Sequence, residues 1–209
     1  MRRNLSILFG LIAWFAVVTQ FLLMLENRVA SVPETLVRFF SFFTILTNLL
    51  VAIYFTSQSF QRKNHSAGFI NQPGVLTSVT VYITIMGLVY QILLRHIWQP
   101  TGLQKIVDEL LHSLIPLLVI IYWYFFENKS KVKYRQVFKW LIYPLVYLFY
   151  ILVRGSFSGF YPYPFVDVRN LGVQKVLINS TWLVILFAVV SLLFVWIGKL
   201  FDKKKVLAE

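Results

Sequence analysis

The sequence predicts an all-α membrane protein, a bundle of six transmembrane helices with the N- and C-termini in the cytoplasm. Of its 209 residues 58% are hydrophobic and only 13% are charged, and the mean hydropathy is +0.72. Soluble domains carry about twice that charged fraction. Apolar runs of about 20 residues recur between short polar segments, as a helix needs to cross the hydrocarbon core. Alternating segments of about 10 residues, typical of membrane barrels, are absent.

The apolar runs define six spans, at residues 5–25, 36–55, 75–94, 106–126, 137–153 and 173–200, in a single domain of residues 1–209. The start of the chain, Met1-Arg2-Arg3 before an apolar run, resembles a signal peptide. Because the run reaches residue 25 with no small-residue cleavage pattern after it, we predict a retained first helix.

The positions of the basic residues predict the orientation of the spans. The N-terminus, the second and fourth loops and the tail hold thirteen of the twenty Lys and Arg residues, including Arg62, Lys63 and the run at 203–205. Because Lys and Arg concentrate in cytoplasmic loops, both termini are expected inside. The net charge of +12 is divided among these loops rather than forming one patch, so no nucleic-acid partner is expected. The absence of cysteine excludes a thiolate nucleophile and a disulfide framework.

The second span carries a polar stripe. At 100° per residue one arc of the helix takes all of its polar side chains: Arg38, Ser41, Thr44, Thr47 and Asn48. Such a stripe is expected to face the interior of the bundle. There it either holds helices together by hydrogen bonds or lines a cavity.

The fourth span contains His112, the one titratable residue well inside a predicted span. An ionisable residue in a membrane helix is a candidate functional residue. Pro116 lies four residues later and has no N–H, so the helix is expected to loosen around His112. Asp108 lies one turn before His112 and could fix its tautomer, as the acid does in a catalytic triad. The alternative is a histidine that is hydrogen-bonded for packing.

The depths of these two features match. Spans two and four both run from outside to inside, and at 1.5 Å per residue Thr44 lies about 12 Å and His112 about 9 Å below the start of its span. If the two helices adjoin, the hydroxyl and the imidazole could form a nucleophile and its base in the outer half of the membrane. The spacing does not choose Thr44 over Thr47 or Ser41.

The last outer loop, residues 154–167, is rich in aromatic residues and includes Arg154, Tyr161, Tyr163 and Asp167. Two prolines interrupt regular helix there, and tyrosine favours the membrane interface, so the loop is predicted to lie at the mouth of the bundle on the side of Thr44 and His112. An interfacial aromatic belt is the alternative.

No cofactor or metal is expected. His96, His112 and the Asp108-Glu109 pair do not have the spacing of a known metal-binding motif.

Three segments, in this order, resemble the androgen-induced protein family of six-helix membrane proteins and its bacterial relatives. They are the Phe-Thr-Ile-Leu-Thr of residues 43–47, the helix with His112 and Pro116, and the Tyr-Pro-Phe-Val-Asp of residues 163–167. The similarity covers nearly the whole chain, and the specific matches lie in these segments. Eukaryotic members hydrolyse fatty acid esters of hydroxy fatty acids with an intramembrane threonine and histidine. The resemblance therefore implies that Thr44 is the nucleophile and His112 the base.

The chain is more similar to the bacterial branch of that family, because Thr47 stands where the eukaryotic pattern has an aspartate. The bacterial cell membrane is therefore the expected location. The first functional hypothesis is a hydrolase or acyl transferase for a membrane lipid ester, in which Asn48 donates to the oxyanion and Arg154 holds an anionic head group. The alternative is a non-catalytic transporter or lipid-binding protein that uses the same polar cavity. The sequence does not indicate an oligomeric state.

Overall fold

The computed structural model of the chain describes residues 1–60 and 68–206, with side chains up to residue 201. Over these residues the regular elements are helices, and six are long and apolar enough to cross a membrane: Arg2–Glu26, Phe43–Phe60, Val75–Leu94, Gly102–Phe126, Gln136–Ser158 and Val168–Phe201. The predicted all-α class with six spans is confirmed, and these helices indicate an integral membrane protein.

The cytoplasmic location of the termini stays a prediction. Two of the basic residues behind it, Arg62 and Lys63, lie outside the described residues, and so do the side chains of Lys203, Lys204 and Lys205.

The helices are α1 (Arg2–Glu26), α2 (Val32–Phe39), α3 (Phe43–Phe60), α4 (Val75–Val89), α5 (Gly102–Glu109), α6 (Ile115–Phe126), α7 (Gln136–Ser158) and α8 (Val168–Val206). A π-helical turn at Tyr90–Leu94 extends α4, and another at Leu110–Leu114 joins α5 to α6. In α8 the backbone leaves the helical conformation at Gly172, where φ is 77°. The fourth span starts four residues earlier than predicted and the fifth ends five residues later.

The second span differs from its prediction, because residues 36–55 do not form one helix. The helix α2 ends at Phe39 and α3 begins at Phe43, with a turn between them in which the backbone N–H of Ser41 donates to the Arg38 carbonyl at 3.0 Å. The Ser41 hydroxyl donates back to the Val37 carbonyl at 2.6 Å, a side-chain bond that competes with helix continuation. The polar stripe is therefore divided, and Thr44 lies in the first turn of a helix.

The chain forms two compact units, Met1–Lys131 and Val132–Glu209. In the first unit α1 packs along α3, α3 against α4, and α4 against α6. Phe9, Phe55 and Tyr122 form an edge-to-face aromatic cluster, with ring centroids 5.0 to 6.2 Å apart, between α1, α3 and α6. This packing places the first turn of α3 beside the π turn that follows α5. The single-domain expectation stays a prediction.

Polar contacts hold the same three helices together beside this aromatic cluster. The Arg2 guanidinium donates to Gln58 Oε1 at 2.9 Å and to the Tyr122 hydroxyl at 3.2 Å, and Ser6 Oγ lies 2.9 Å from that hydroxyl. Buried polar groups in a membrane protein need such partners because lipid supplies none.

In the second unit α7 packs on α8 around the buried side chains of Ile151, Val166 and Val176. The loop between the two helices contributes a short 3-10 turn, Pro164–Val166, to this core. The loop is therefore part of the packed structure of its unit.

Candidate functional site

His112 lies in the π turn Leu110–Leu114. The Ile115 N–H donates to the Leu110 carbonyl five residues back, so the next bond of this register would join the N–H of residue 116 to the Leu111 carbonyl. Residue 116 is proline and has no N–H. The side-chain amide of Asn48 lies 3.5 Å from the Leu111 carbonyl and provides a donor there. The loosening predicted from Pro116 is therefore present as a π turn, which is a frequent feature of functional sites.

Gly87 allows α4 to approach this turn closely. A Cβ atom at Gly87 would lie 3.1 Å from the His112 carbonyl oxygen and 3.4 Å from the ring of Pro116. The backbone of His112 is thus held against α4 by a contact that only glycine permits without adjustment.

The structure brings Thr44, His112 and Asp108 together. Thr44 Oγ1 lies 3.3 Å from His112 Nε2, and His112 Nδ1 lies 3.3 Å from Asp108 Oδ1 and 2.9 Å from the Asp108 carbonyl oxygen. Thr44 is 7% exposed and Asp108 5%, so these contacts are made away from solvent. The adjacency of spans two and four, which the sequence left as a condition, is observed.

The contacts of Nδ1 determine the tautomer of His112. Both atoms that face Nδ1 belong to Asp108 and are acceptors, so Nδ1 carries the proton. In the neutral ring Nε2 is then an acceptor directed at the Thr44 hydroxyl. This is the arrangement in which an imidazole can remove a proton from an alcohol.

Tyr90 completes the cluster, and it was not among the residues predicted from the sequence. Its hydroxyl donates a hydrogen bond to Asp108 Oδ2, and its ring stacks on the His112 imidazole with a centroid distance of 3.9 Å and an interplanar angle of 15°. Tyr90 is one of eleven tyrosines in the chain. No sequence signal separates it from the others, because its role depends on the packing of α4 against the helix of His112.

The start of α3 adds a favourable electrostatic field. Thr44 is the second residue of that helix, where the helix dipole places partial positive charge. A negative charge that develops on or next to the Thr44 oxygen is stabilised there.

The other candidate hydroxyls, Ser41 and Thr47, are fully buried, and the Ser41 hydroxyl donates to the Val37 carbonyl.

Asn48 directs its amide hydrogens at backbone oxygens. Its Nδ2 lies 2.9 Å from the Thr44 carbonyl and 3.5 Å from that of Leu111. Its Oδ1 is buried and has no hydrogen-bond partner within the described residues. This orientation positions an acceptor rather than a donor, so the oxyanion role expected for Asn48 remains a prediction that these contacts do not favour.

A polar network links the two π turns at their exposed side. Arg95 forms an ion pair with Glu109 and donates to Gln91 Oε1 at 2.7 Å. Ser113 donates to Glu109 at 2.7 Å and accepts from the Gln91 amide at 2.8 Å. Because Ser113 follows His112 directly, this network restrains the turn that carries the imidazole. No pattern in the sequence indicated these four residues as a group.

The loop residues of the prediction lie in the second unit. Asp167 accepts from the backbone N–H of Arg169 at 3.0 Å and from the Asn170 amide at 2.7 Å, so it stabilises the first turn of α8. The Arg154 guanidinium lies 4.9 Å from the ring of Phe160 and donates to the carbonyl oxygen of that residue at 3.4 Å.

Both tyrosines of the loop pack within the same unit. Tyr161 covers Gly155 so closely that a Cβ atom there would overlap the tyrosine ring, and Tyr163 stacks on Phe165 at 5.2 Å. These contacts account for the aromatic residues as part of the loop's own packing. A role of Arg154, Tyr161, Tyr163 or Asp167 next to Thr44 and His112 stays a prediction.

The arrangement of Thr44, His112 and Asp108 has the parts of an activated nucleophile. They are a hydroxyl, an imidazole whose unprotonated Nε2 faces that hydroxyl, and a carboxylate that orients the imidazole. No protein-family model, no curated protein and no solved structure matches this chain.

Proposed function

We propose that this protein is an intramembrane hydrolase or acyl transferase for lipid esters, with Thr44 as the nucleophile and His112 as the general base. The observation that carries the proposal is the 3.3 Å distance between Thr44 Oγ1 and His112 Nε2, on a ring whose other nitrogen faces Asp108. A packing histidine needs one partner, whereas this one links a hydroxyl to a carboxylate in the order that catalysis requires.

The reaction begins when Thr44 Oγ attacks the carbonyl carbon of the ester while its proton passes to His112 Nε2. The tetrahedral intermediate collapses by breaking the bond to the leaving alkoxide, which takes the proton from Nε2. The acyl group is then an ester of Thr44. Attack by water on this ester gives a carboxylic acid, and attack by a second alcohol gives a new ester, with Thr44 restored in both cases.

The proposed substrates are membrane lipids or lipid-like esters, because the site lies among helices long and apolar enough to cross a membrane. The side of the membrane follows from the predicted orientation, which places Thr44 in the outer half. The resemblance to the androgen-induced family supports the same reaction class, and its bacterial branch supports the bacterial cell membrane as the location. The proposed reaction requires only the ester and water or an alcohol, and no cofactor takes part in it.

The test uses the purified full chain in lipid nanodiscs and a fluorogenic long-chain acyl ester. Thr44→Ala and His112→Ala are expected to lower turnover by about 10³-fold or more, since each removes a member of the nucleophile pair. Thr44→Ser retains the hydroxyl and should remain active. Thr181→Ala and His96→Ala are matched controls, because both residues are exposed.

A fluorophosphonate probe tests the nucleophile directly. Wild-type protein should be labelled, mass spectrometry should place the label on residue 44, and the two alanine variants at the site should not react. Wild-type turnover and labelling in both variants would reject the mechanism. Solute flux in proteoliposomes that persists in Thr44→Ala and is lost in His112→Ala would instead support the transporter hypothesis.

A further inference from the structure

Tyr90 contacts both the proposed base, His112, and the carboxylate that faces this base, Asp108. Its hydroxyl donates to Oδ2 of Asp108, and the other carboxylate oxygen faces His112 Nδ1 at 3.3 Å. Its ring lies nearly parallel to the imidazole, with centroids 3.9 Å apart. The side chain is 3% exposed, so no solvent competes for its hydroxyl. One residue therefore restrains the carboxylate and the imidazole at the same time.

The backbone holds Tyr90 in this place. The π turn of Tyr90–Leu94 begins at this residue, and the Arg95 N–H donates to the Tyr90 carbonyl at 2.8 Å to close it. The opposing π turn carries His112, and the Arg95–Glu109 pair joins the two turns. π turns are rare in proteins and frequent at functional sites, and here one lies on each side of the contact between Tyr90 and His112.

We infer that Tyr90 is a positioning residue for the reaction, acting through Asp108 and His112 rather than by touching the substrate. This inference rests on the proposed function and names a residue which that proposal does not require. The hydroxyl fixes the rotation of the carboxylate, so that Oδ1 stays aligned with Nδ1. The stacked ring prevents the imidazole from turning, so that Nε2 stays aligned with the Thr44 hydroxyl.

The stacked ring has a second effect in the transition state. When His112 accepts the proton of Thr44 it becomes a cation, and the face of an aromatic ring attracts a cation. The neutral imidazole of the resting protein gains little from the same contact. An interaction that is stronger in the transition state than in the ground state raises kcat rather than lowering KM. A purely structural tyrosine would produce neither effect.

Two substitutions separate the hydroxyl from the ring. Tyr90→Phe keeps the stacked ring and removes the donor to Asp108, and it is expected to lower kcat by about 10- to 100-fold, the equivalent of one hydrogen bond to a charged group. Tyr90→Leu removes both contacts and should lower kcat by about a further 10-fold. In both variants KM should stay within about twofold of the wild-type value, because Tyr90 does not contact the substrate.

Tyr82→Phe is the matched control, since it removes the hydroxyl of another buried tyrosine, which lies in α4. Its kcat should stay within about twofold of wild type, because Tyr82 lies eight residues before Tyr90, about 12 Å away along the helix. All rates refer to the monodisperse fraction from size-exclusion chromatography. If Tyr90→Leu fails to give such a fraction, Tyr90→Phe alone decides, because it preserves the shape of the buried ring.

A double-mutant cycle with Asp108→Asn tests whether the hydroxyl acts through the carboxylate. If it does, Tyr90→Phe should change kcat by less than about twofold in the Asp108→Asn background. Additive effects, or a wild-type kcat in Tyr90→Phe beside an inactive Thr44→Ala, would overturn the role of Tyr90 and leave the proposed function intact. An active Thr44→Ala would overturn both.

Discussion

Replacement of Gly87 by alanine perturbs the site without touching any side chain that takes part in the proposed chemistry. The added Cβ would lie 3.1 Å from the His112 carbonyl oxygen, whereas ordinary contacts begin at 3.4 Å. The backbone of His112 must therefore move by about 0.3 Å, the difference between these two distances. Thr44 Oγ1 is already 3.3 Å from Nε2, so a shift of the imidazole away from Thr44 removes the hydrogen bond.

Two energies of opposite sign set the effect on stability. Alanine is preferred over glycine in a helix interior by about 1 kcal/mol, and overpacking costs about 1–3 kcal/mol. The balance is a loss of about 0–2 kcal/mol, or a fall in Tm of up to about 8 °C for a chain of this size. Turnover is more sensitive, because a misplacement of about 1 Å can lower it by about 10²-fold. We expect a decrease of about 3- to 30-fold for a shift of this size.

Acyl-ester turnover and Tm in nanodiscs measure the two effects separately. Gly10→Ala in α1 is the matched control, since the added Cβ would lie at an ordinary contact distance of 3.4 Å from the Cβ of Phe55 in α3. It should keep wild-type turnover and an equal or higher Tm. Full turnover in Gly87→Ala would refute the view that the contact between α4 and the His112 backbone sets the geometry of the site.

Three further predictions concern other parts of the chain. Asn48→Asp should destabilise the protein by about 2–5 kcal/mol, because it places a buried carboxylate against two backbone carbonyl oxygens, and thermal unfolding measures this loss. Gly155→Ala should displace the Tyr161 ring and cost about 1–3 kcal/mol, seen as faster proteolysis of the loop between α7 and α8. A reporter fused to the tail should be active in the cytoplasm, because basic residues flank the inner ends of the spans.

Each of these predictions has a control or a contrary result. Asn27→Asp is the control for Asn48→Asp, because Asn27 is exposed, and equal Tm values for the two variants would contradict the assigned amide contacts. Unchanged proteolysis of Gly155→Ala would show that Tyr161 does not hold the loop. A reporter active on the outer face would reverse the predicted topology and the assignment of Thr44 to the outer half.

The sequence by itself determined the class of fold. Lipid offers no hydrogen bonds to a backbone, so apolar runs long enough to span a membrane must be helices, and six such runs gave six helices. It also indicated Thr44, His112 and Asp108, because polar and ionisable residues are expensive in a membrane helix and few positions carry them. Pro116 indicated a local irregularity for a similar reason, since proline lacks a hydrogen-bond donor wherever it stands.

Tertiary structure alone decided how these residues meet. The break at residues 40–42 and the π turn at Tyr90–Leu94 were not predicted from the sequence, which showed one continuous apolar run at each place. Three contacts build the site: Thr44 with His112, Tyr90 with His112, and Asn48 with Leu111. Each joins residues that are 22 to 68 positions apart in the sequence, so no local pattern predicts it. Local propensity and hydropathy describe each helix separately, whereas the site exists only where α3, α4 and the turn after α5 pack together.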